Sequence, residues 1–133
     1  MKTLVVDDYD AAGEATALFL EMEGHEVARA ASGEEALALL TTDRSFCFIV
    51  SDWDMRPGMS GDELIRGVRE LAPGIAAVMT SGDAYGDAEK AAKEVGAVFL
   101  SKPFSREELL LAIQQALAEA ASPGGRSELQ GVA

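Results

Sequence analysis

Two acidic groups dominate the chemistry open to this chain. Asp7 and Asp8 follow the apolar run Thr3–Val6, and Asp52-Trp53-Asp54 follow soon after the run Cys47–Val50. Later apolar runs lead into Thr80-Ser81-Gly82 and into Ser101-Lys102-Pro103. Carboxylates at close range repel one another and raise each other's pKa unless a cation neutralises them. With one His and one Cys in the whole chain, the hard oxygen donors favour Mg2+ or a similar ion. A carboxylate nucleophile can accept a phosphoryl group, with a metal and a lysine offsetting charge on the transferring oxygens. A small hydroxyl such as Ser81 can donate a hydrogen bond to one of those oxygens. The set suits phosphoryl transfer onto an aspartate.

Five apolar runs must position these groups: Thr3–Val6, Val27–Ala30, Cys47–Val50, Ile75–Met79 and Val98–Leu100. Several lack the alternation of a half-exposed strand and read as strands buried on both faces. Between them, apolar residues recur at helical spacing. The sets are Ala15, Leu18, Phe19, Met22; Ala36, Leu37, Leu40; Leu64, Ile65, Val68, Leu71; Ala88, Ala91, Ala92, Val95; and Leu109, Ile113, Ala116, Leu117, Ala120. Ser32…Glu35, Ser60…Glu63 and Ser105…Glu108 fit capping boxes at helix starts. Gly24, Pro73-Gly74 and Gly96 stand where helices should stop. Five strand–helix alternations predict an α/β domain over residues 1–121, with a parallel sheet covered on both faces. In such a sheet, function gathers at the carboxyl ends of the strands, where the acidic groups, Ser81 and Lys102 all fall. Ser122-Pro123-Gly124-Gly125 opens a tail, 122–133, read as a disordered end or linker stump.

A length of 133 residues favours one domain, and 48% hydrophobic residues suffice for a core. The net charge of -12 argues against direct nucleic-acid binding and against docking on anionic membranes. No apolar run approaches the roughly 18–20 residues of a membrane span. Asp7 and Asp8 arrive too early for a secretory signal, so the expected location is cytoplasmic. Cys47, between Phe46 and Phe48, reads as a small buried core residue. His25 lacks partners for a histidine metal site.

The motifs Val5-Val6-Asp7-Asp8, Ser51-Asp52-Trp53-Asp54-Met55, Pro57-Gly58-Met59-Ser60-Gly61, Thr80-Ser81-Gly82 and Lys102-Pro103-Phe104 occur in that order at strand ends. Over residues 2–120 the chain therefore resembles the CheY-like receiver domains of two-component response regulators. The resemblance implies the flavodoxin-like (βα)5 fold, a doubly wound five-stranded sheet of order 2-1-3-4-5. It implies that Asp52 is the phosphoacceptor and that Asp8 and Asp52 bind Mg2+ directly. Asp7 would assist through water, and the Asp54 backbone carbonyl would complete the protein ligands. Ser81 would move toward the phosphoryl group, Lys102 would pair with one of its oxygens, and the Lys102–Pro103 peptide would be cis. Phe99 matches an aromatic switch position, although a plain core role accounts for it equally well. The donor would be a sensor histidine kinase or a histidine phosphotransfer protein. A downstream output protein would read the region of the fourth helix, fifth strand and fifth helix by population shift. The protomer would be a monomer or weak homodimer.

Two departures from the family pattern stand out. Arg56 intervenes between Met55 and Pro57, which should reshape the loop beside the metal. Its side chain could aid anion binding or point into solvent, and solvent is the simpler expectation. Asp54 and Asp83 both lie two residues beyond a site residue, and the pair is expected to set the lifetime of the phosphoryl-aspartate. Two other readings compete: a non-phosphorylated pseudo-receiver that only binds partners, and a haloacid-dehalogenase-type phosphatase using Asp52 and Asp54. The second is disfavoured because the remaining acidic pair precedes the nucleophile, whereas that family places its further acidic ligands after the lysine.

Overall fold

Alternating side chains on buried strands give the sheet two apolar faces, and each face requires its own helical layer. The computed structural model describes residues 1–83 and 85–121; the expected tail, 122–133, lies outside them. The strands are β1 (Lys2–Val6), β2 (Glu26–Ala30), β3 (Phe48–Asp52), β4 (Ala76–Ser81) and β5 (Val98–Ser101). The helices are α1 (Asp10–Met22), α2 (Gly33–Thr42), α3 (Gly61–Leu71), α4 (Asp87–Glu94) and α5 (Arg106–Ala121). Strand order is β2-β1-β3-β4-β5 with every pairing parallel, as the sequence predicts.

Leu4, Val6, Ile49, Ala77 and Met79 pack with the buried residues of α2, α3 and α4. Val5, Phe48, Val50, Ala76 and Val78 pack with those of α1 and α5. Every residue of β3 and β4 is buried, which explains the unbroken apolar runs Phe48–Val50 and Ala76–Met79. The edge strand β2 differs, with Glu26 and Arg29 exposed.

Three expectations need correction. Strands β3 and β4 run on to Asp52 and Ser81, because the ladder continues through the polar residues Asp52↔Thr80 and Ser81↔Ser101. Asp52 and Ser81 are thus held by sheet hydrogen bonds rather than by loops. Cys47 is exposed, not core: it precedes β3, and Phe46 and Phe48 take the interior instead. On α1 the buried face is Gly13, Thr16, Ala17 and Leu20, while Leu18 and Met22 face solvent. Three of the four residues on that inner face are small or polar, so apolar side chains alone did not mark it.

The helix starts follow the capping chemistry. Ser105 and Glu108 exchange hydrogen bonds as a complete box, the Ser105 amide donating to Glu108 Oε1 at 2.8 Å and the Glu108 amide to Ser105 Oγ at 3.0 Å. At α3, the Ser60 amide donates to Glu63 Oε1 at 2.9 Å. At α2 the Glu35 amide donates to Ser32 Oγ, but the Glu35 carboxylate accepts from Ala31 rather than Ser32. Gly86, at φ +88°, turns the chain into α4 through the left-handed region.

Candidate functional site

The carboxyl edge of the sheet gathers residues separated by up to 95 positions in sequence. The Asp7 amide donates to Ala30 O at 3.1 Å, which extends β1 pairing one residue past the strand. The Tyr9 amide then donates to Asp7 Oδ1 at 3.0 Å, an Asx-type turn that fixes the carboxylate. The Lys102 amide donates to Ser81 O at 2.8 Å, which holds the end of β5 level with the end of β4. From there Lys102 Nζ reaches 3.1 Å from Asp7 Oδ2 and 3.1 Å from Asp52 Oδ1. Asp8, exposed, brings a third carboxylate: ligand oxygens of Asp7, Asp8 and Asp52 all lie within 4.8 Å of one another.

The electrostatics follow from that crowding. Burial pushes the Asp52 carboxyl up to about 6; the Lys102 ammonium opposes the shift, while Asp7 and Asp8 add to it. Burial acts to lower the Lys102 pKa, but the Asp52 and Asp7 carboxylates outweigh it and raise it. One ammonium is shared by two of three converging carboxylates, so the cluster retains excess negative charge. An all-oxygen donor set at this spacing fits a small hard cation such as Mg2+, which prefers carboxylates and water to nitrogen or sulfur ligands. The Asp54 carboxylate is not one of the cluster. It faces Arg56 instead.

Asp54 and Arg56 form a forked pair. Arg56 Nε donates to Asp54 Oδ1 at 2.9 Å and Nη2 to Oδ2 at 2.8 Å, with the Arg56 amide at 3.3 Å from Oδ1. This pairing holds the Asp54 carboxyl below the usual carboxylate range. Arg56 is thus held against Asp54, and its side chain is 83% exposed. Asp52, Arg56, Ser81 and Lys102 line one cleft of 480 Å³. The Arg56–Pro57 and Lys102–Pro103 peptides are both cis.

Ser81 is buried, and its Oγ accepts a hydrogen bond from the Asp83 amide at 2.9 Å. Phe99 is half-buried against the cluster beneath α2, α3 and α4. In the ladder it pairs with Met79 while Ser101 pairs with Ser81, so Phe99 and Ser81 share a face of the sheet two positions apart. Sequence reasoning missed two features. The Trp53 indole donates to Asp62 Oδ1 at 3.1 Å, and Ser60 Oγ donates to the same oxygen at 2.7 Å, tying the neighbour of Asp52 to α3. The Asp83 carboxylate accepts from the Tyr85 and Ala88 amides, so it caps α4. An acidic residue shortly before a helix was the available signal for that cap.

Residues 3–114 match the response regulator receiver domain family. The chain belongs to that family. Among curated relatives, it is 37% identical over 117 residues to the phosphate regulon transcriptional regulatory protein PhoB of Pseudomonas aeruginosa, covering 86% of this chain and 50% of the relative. It is 36% identical over 110 residues to the response regulator protein FleR of the same species, covering 82% of this chain and 23% of that one. The receiver thus spans half or less of these relatives. A solved CheY-like receiver domain from Methanospirillum hungatei JF-1 superposes with a TM-score of 0.80 at 31% identity, covering 98% of each chain. The chemotaxis response regulator CheY4 of Vibrio cholerae gives 0.77 at 35% identity, over 87% of this chain and 98% of that one. Among the described residues, no helix is long and apolar enough to cross a membrane.

Proposed function

We propose that this receiver accepts a phosphoryl group on Asp52 from a phosphohistidine, in a Mg2+-dependent reaction, and thereby switches its affinity for an output protein. The observation that carries the reading is Lys102 Nζ standing 3.1 Å from both Asp7 and Asp52 within the three-carboxylate cluster. An Asp52 oxygen attacks phosphorus, the phosphorus–nitrogen bond of the donor breaks, and its electron pair leaves with the imidazole. Asp52 is then an acyl phosphate. Asp7, Asp8 and Asp52, with the Asp54 carbonyl, would hold Mg2+, which when bound neutralises the carboxylates and the transferring oxygens. Lys102 holds Asp52 in place before transfer and pairs with a phosphoryl oxygen afterwards. Ser81 Oγ accepts from the Asp83 amide, so its own proton remains free for a phosphoryl oxygen.

The donor partner would be a sensor histidine kinase or a histidine phosphotransfer protein, and the protein would act in the cytoplasm. Movement of Ser81 and of Phe99 behind it would favour a second state of the α4–β5–α5 surface. The pseudo-receiver reading finds little support, because the inserted Arg56 leaves the three carboxylates and Lys102 together. Intact mass after incubation with a small phosphodonor tests the proposal. A gain of one phosphoryl group that needs Mg2+ and vanishes in Asp52→Ala is expected. No gain in the unaltered protein, despite demonstrated Mg2+ binding, would leave the pseudo-receiver reading standing.

A further inference from the structure

We propose that Arg56, anchored by Asp54 at the mouth of the cleft, is a second anion-binding cation that receives the phosphoryl group of the incoming donor. The proposal rests on the phosphoryl-transfer reading above and adds a residue that the inserted position alone supplies. Lys102 is committed to Asp7 and Asp52 before any donor arrives. Asp52, Asp54 and Asp83 line the cleft with Lys102, and Asp7 stands against the same ammonium, so an approaching phosphoryl dianion would meet four carboxylates and one ammonium. Arg56 changes that balance by pairing with Asp54.

The geometry leaves the guanidinium both fixed and available. Its Nε and Nη2 are engaged with Asp54, while Nη1 makes no hydrogen bond among the described residues. A guanidinium has five N–H donors in a rigid fork, so after the two bonds to Asp54 the remaining edge can address a phosphate oxygen. The side chain is 83% exposed, yet it lines the same cleft as Asp52, Ser81 and Lys102. An exposed ion pair of this kind contributes little to folding stability. Holding a cation in one orientation beside an anion site is a use that such a pair does serve, because preorganisation lowers the ordering cost when the ligand binds.

The test measures the rate of mass gain against acetyl phosphate concentration at saturating Mg2+, in the unaltered protein and in Arg56→Ala, Arg56→Lys and Asp54→Ala. Mg2+ affinity is read separately from Trp53 fluorescence, and thermal stability from the melting midpoint. In Arg56→Ala the slope of rate against donor is expected to fall about tenfold, equivalent to about 1.4 kcal/mol, with Mg2+ affinity and melting midpoint unchanged. Arg56→Lys should recover part of the loss, and Asp54→Ala should lose part by freeing the guanidinium. Added salt should slow the unaltered protein more than Arg56→Ala, because one screened attraction is missing from the variant. An unchanged slope in Arg56→Ala overturns the proposal. So does a fall matched by weaker Mg2+ binding, which would mean that Arg56 only shapes the loop. If the unaltered protein takes up no phosphoryl group at all, the parent reading fails first and this one with it, an outcome plainly distinct from a defect confined to the variants.

Discussion

Ser81 and Asp83 are joined in a way that links the site to helix α4. The Asp83 amide donates to Ser81 Oγ at 2.9 Å, while the Asp83 carboxylate accepts from the Tyr85 amide at 3.2 Å and the Ala88 amide at 3.1 Å. The N-cap residue of α4 is Gly86, which offers no side chain, so Asp83 supplies the cap from outside the helix. These amides hold the Asp83 carboxyl below its ordinary range. Any movement of the Ser81 hydroxyl therefore acts on the residue that secures the first turn of a short, alanine-rich helix. Loss of a cap costs about 0.5–2 kcal/mol. Asp83→Ala should accelerate amide hydrogen exchange at Ala88 and its neighbours several-fold, while leaving exchange in β3 unchanged. Equal exchange at Ala88 in both proteins would mean that the carboxylate is not the cap.

The same contacts sharpen the expectation about phosphoryl lifetime. Asp54 is forked to Arg56 and Asp83 is tied to α4, so neither carboxylate is free to take a proton from attacking water without first leaving its partner. Asp54→Asn and Asp83→Ala should each shift the hydrolysis rate of phosphorylated Asp52, by up to about tenfold, a barrier change of about 1.4 kcal/mol. The decay of the phosphorylated mass after donor removal measures this. Two unchanged decay rates would remove both residues from control of the lifetime.

Asp52 carries a cost in the metal-free protein. Its carboxyl lies at about 6 in the fold against an ordinary 3.8, so the native state binds the proton more tightly than the unfolded chain does. The sign follows from linkage: as pH rises from about 4 to above 6, the unfolded state releases its proton first and stability falls. In EDTA at pH 7–8, Asp52→Asn should therefore raise the urea midpoint, whereas at pH 4 the gain should shrink. Saturating Mg2+ should reverse the order, since a ligand at 100-fold its Kd stabilises by about 2.7 kcal/mol and the variant loses a ligand oxygen. A midpoint that Asp52→Asn leaves unmoved in EDTA at both pH values would contradict the burial argument.

Most of the sheet was legible because β3 and β4 are buried on both faces and leave unbroken apolar runs. The convergence of Asp7, Asp8, Asp52 and Lys102 was legible because strand order brings those runs' ends together. What could not be read depended on details below the level of pattern. Helical spacing of apolar residues in α1 favoured Leu18 and Met22, yet Gly13, Thr16, Ala17 and Leu20 form the buried face, which includes a glycine and a threonine that an apolar pattern passes over. Cys47 looked buried between two phenylalanines, but it stands exposed just before β3 while Phe46 and Phe48 take the interior. The Arg56–Asp54 fork needed a loop conformation that residue spacing does not specify.

Gly61 offers the most direct test of how α3 supports the acceptor. Its amide donates to Trp53 O at 2.8 Å, and a Cβ built on it would lie 2.4 Å from Asp52 O and 3.0 Å from Trp53 Cα. Those neighbours are backbone of Asp52, the last residue of β3, and of Trp53 after it, so the clash cannot be relieved by rotating a flexible side chain. Gly61→Ala must push the start of α3 away from β3 or displace Asp52 itself. Overpacking of this kind costs about 1–3 kcal/mol. A displaced Asp52 would also misplace one member of the three-carboxylate cluster. Gly61→Ala should therefore lower both the melting midpoint and the affinity for Mg2+, the latter read by Trp53 fluorescence. Gly74→Ala, with no atom within 4 Å of its added Cβ, should lower neither appreciably. A Gly61→Ala protein that loses stability but binds Mg2+ as before would show that the strain is absorbed by α3 alone, and that the acceptor's position is set by the sheet without help from the helix.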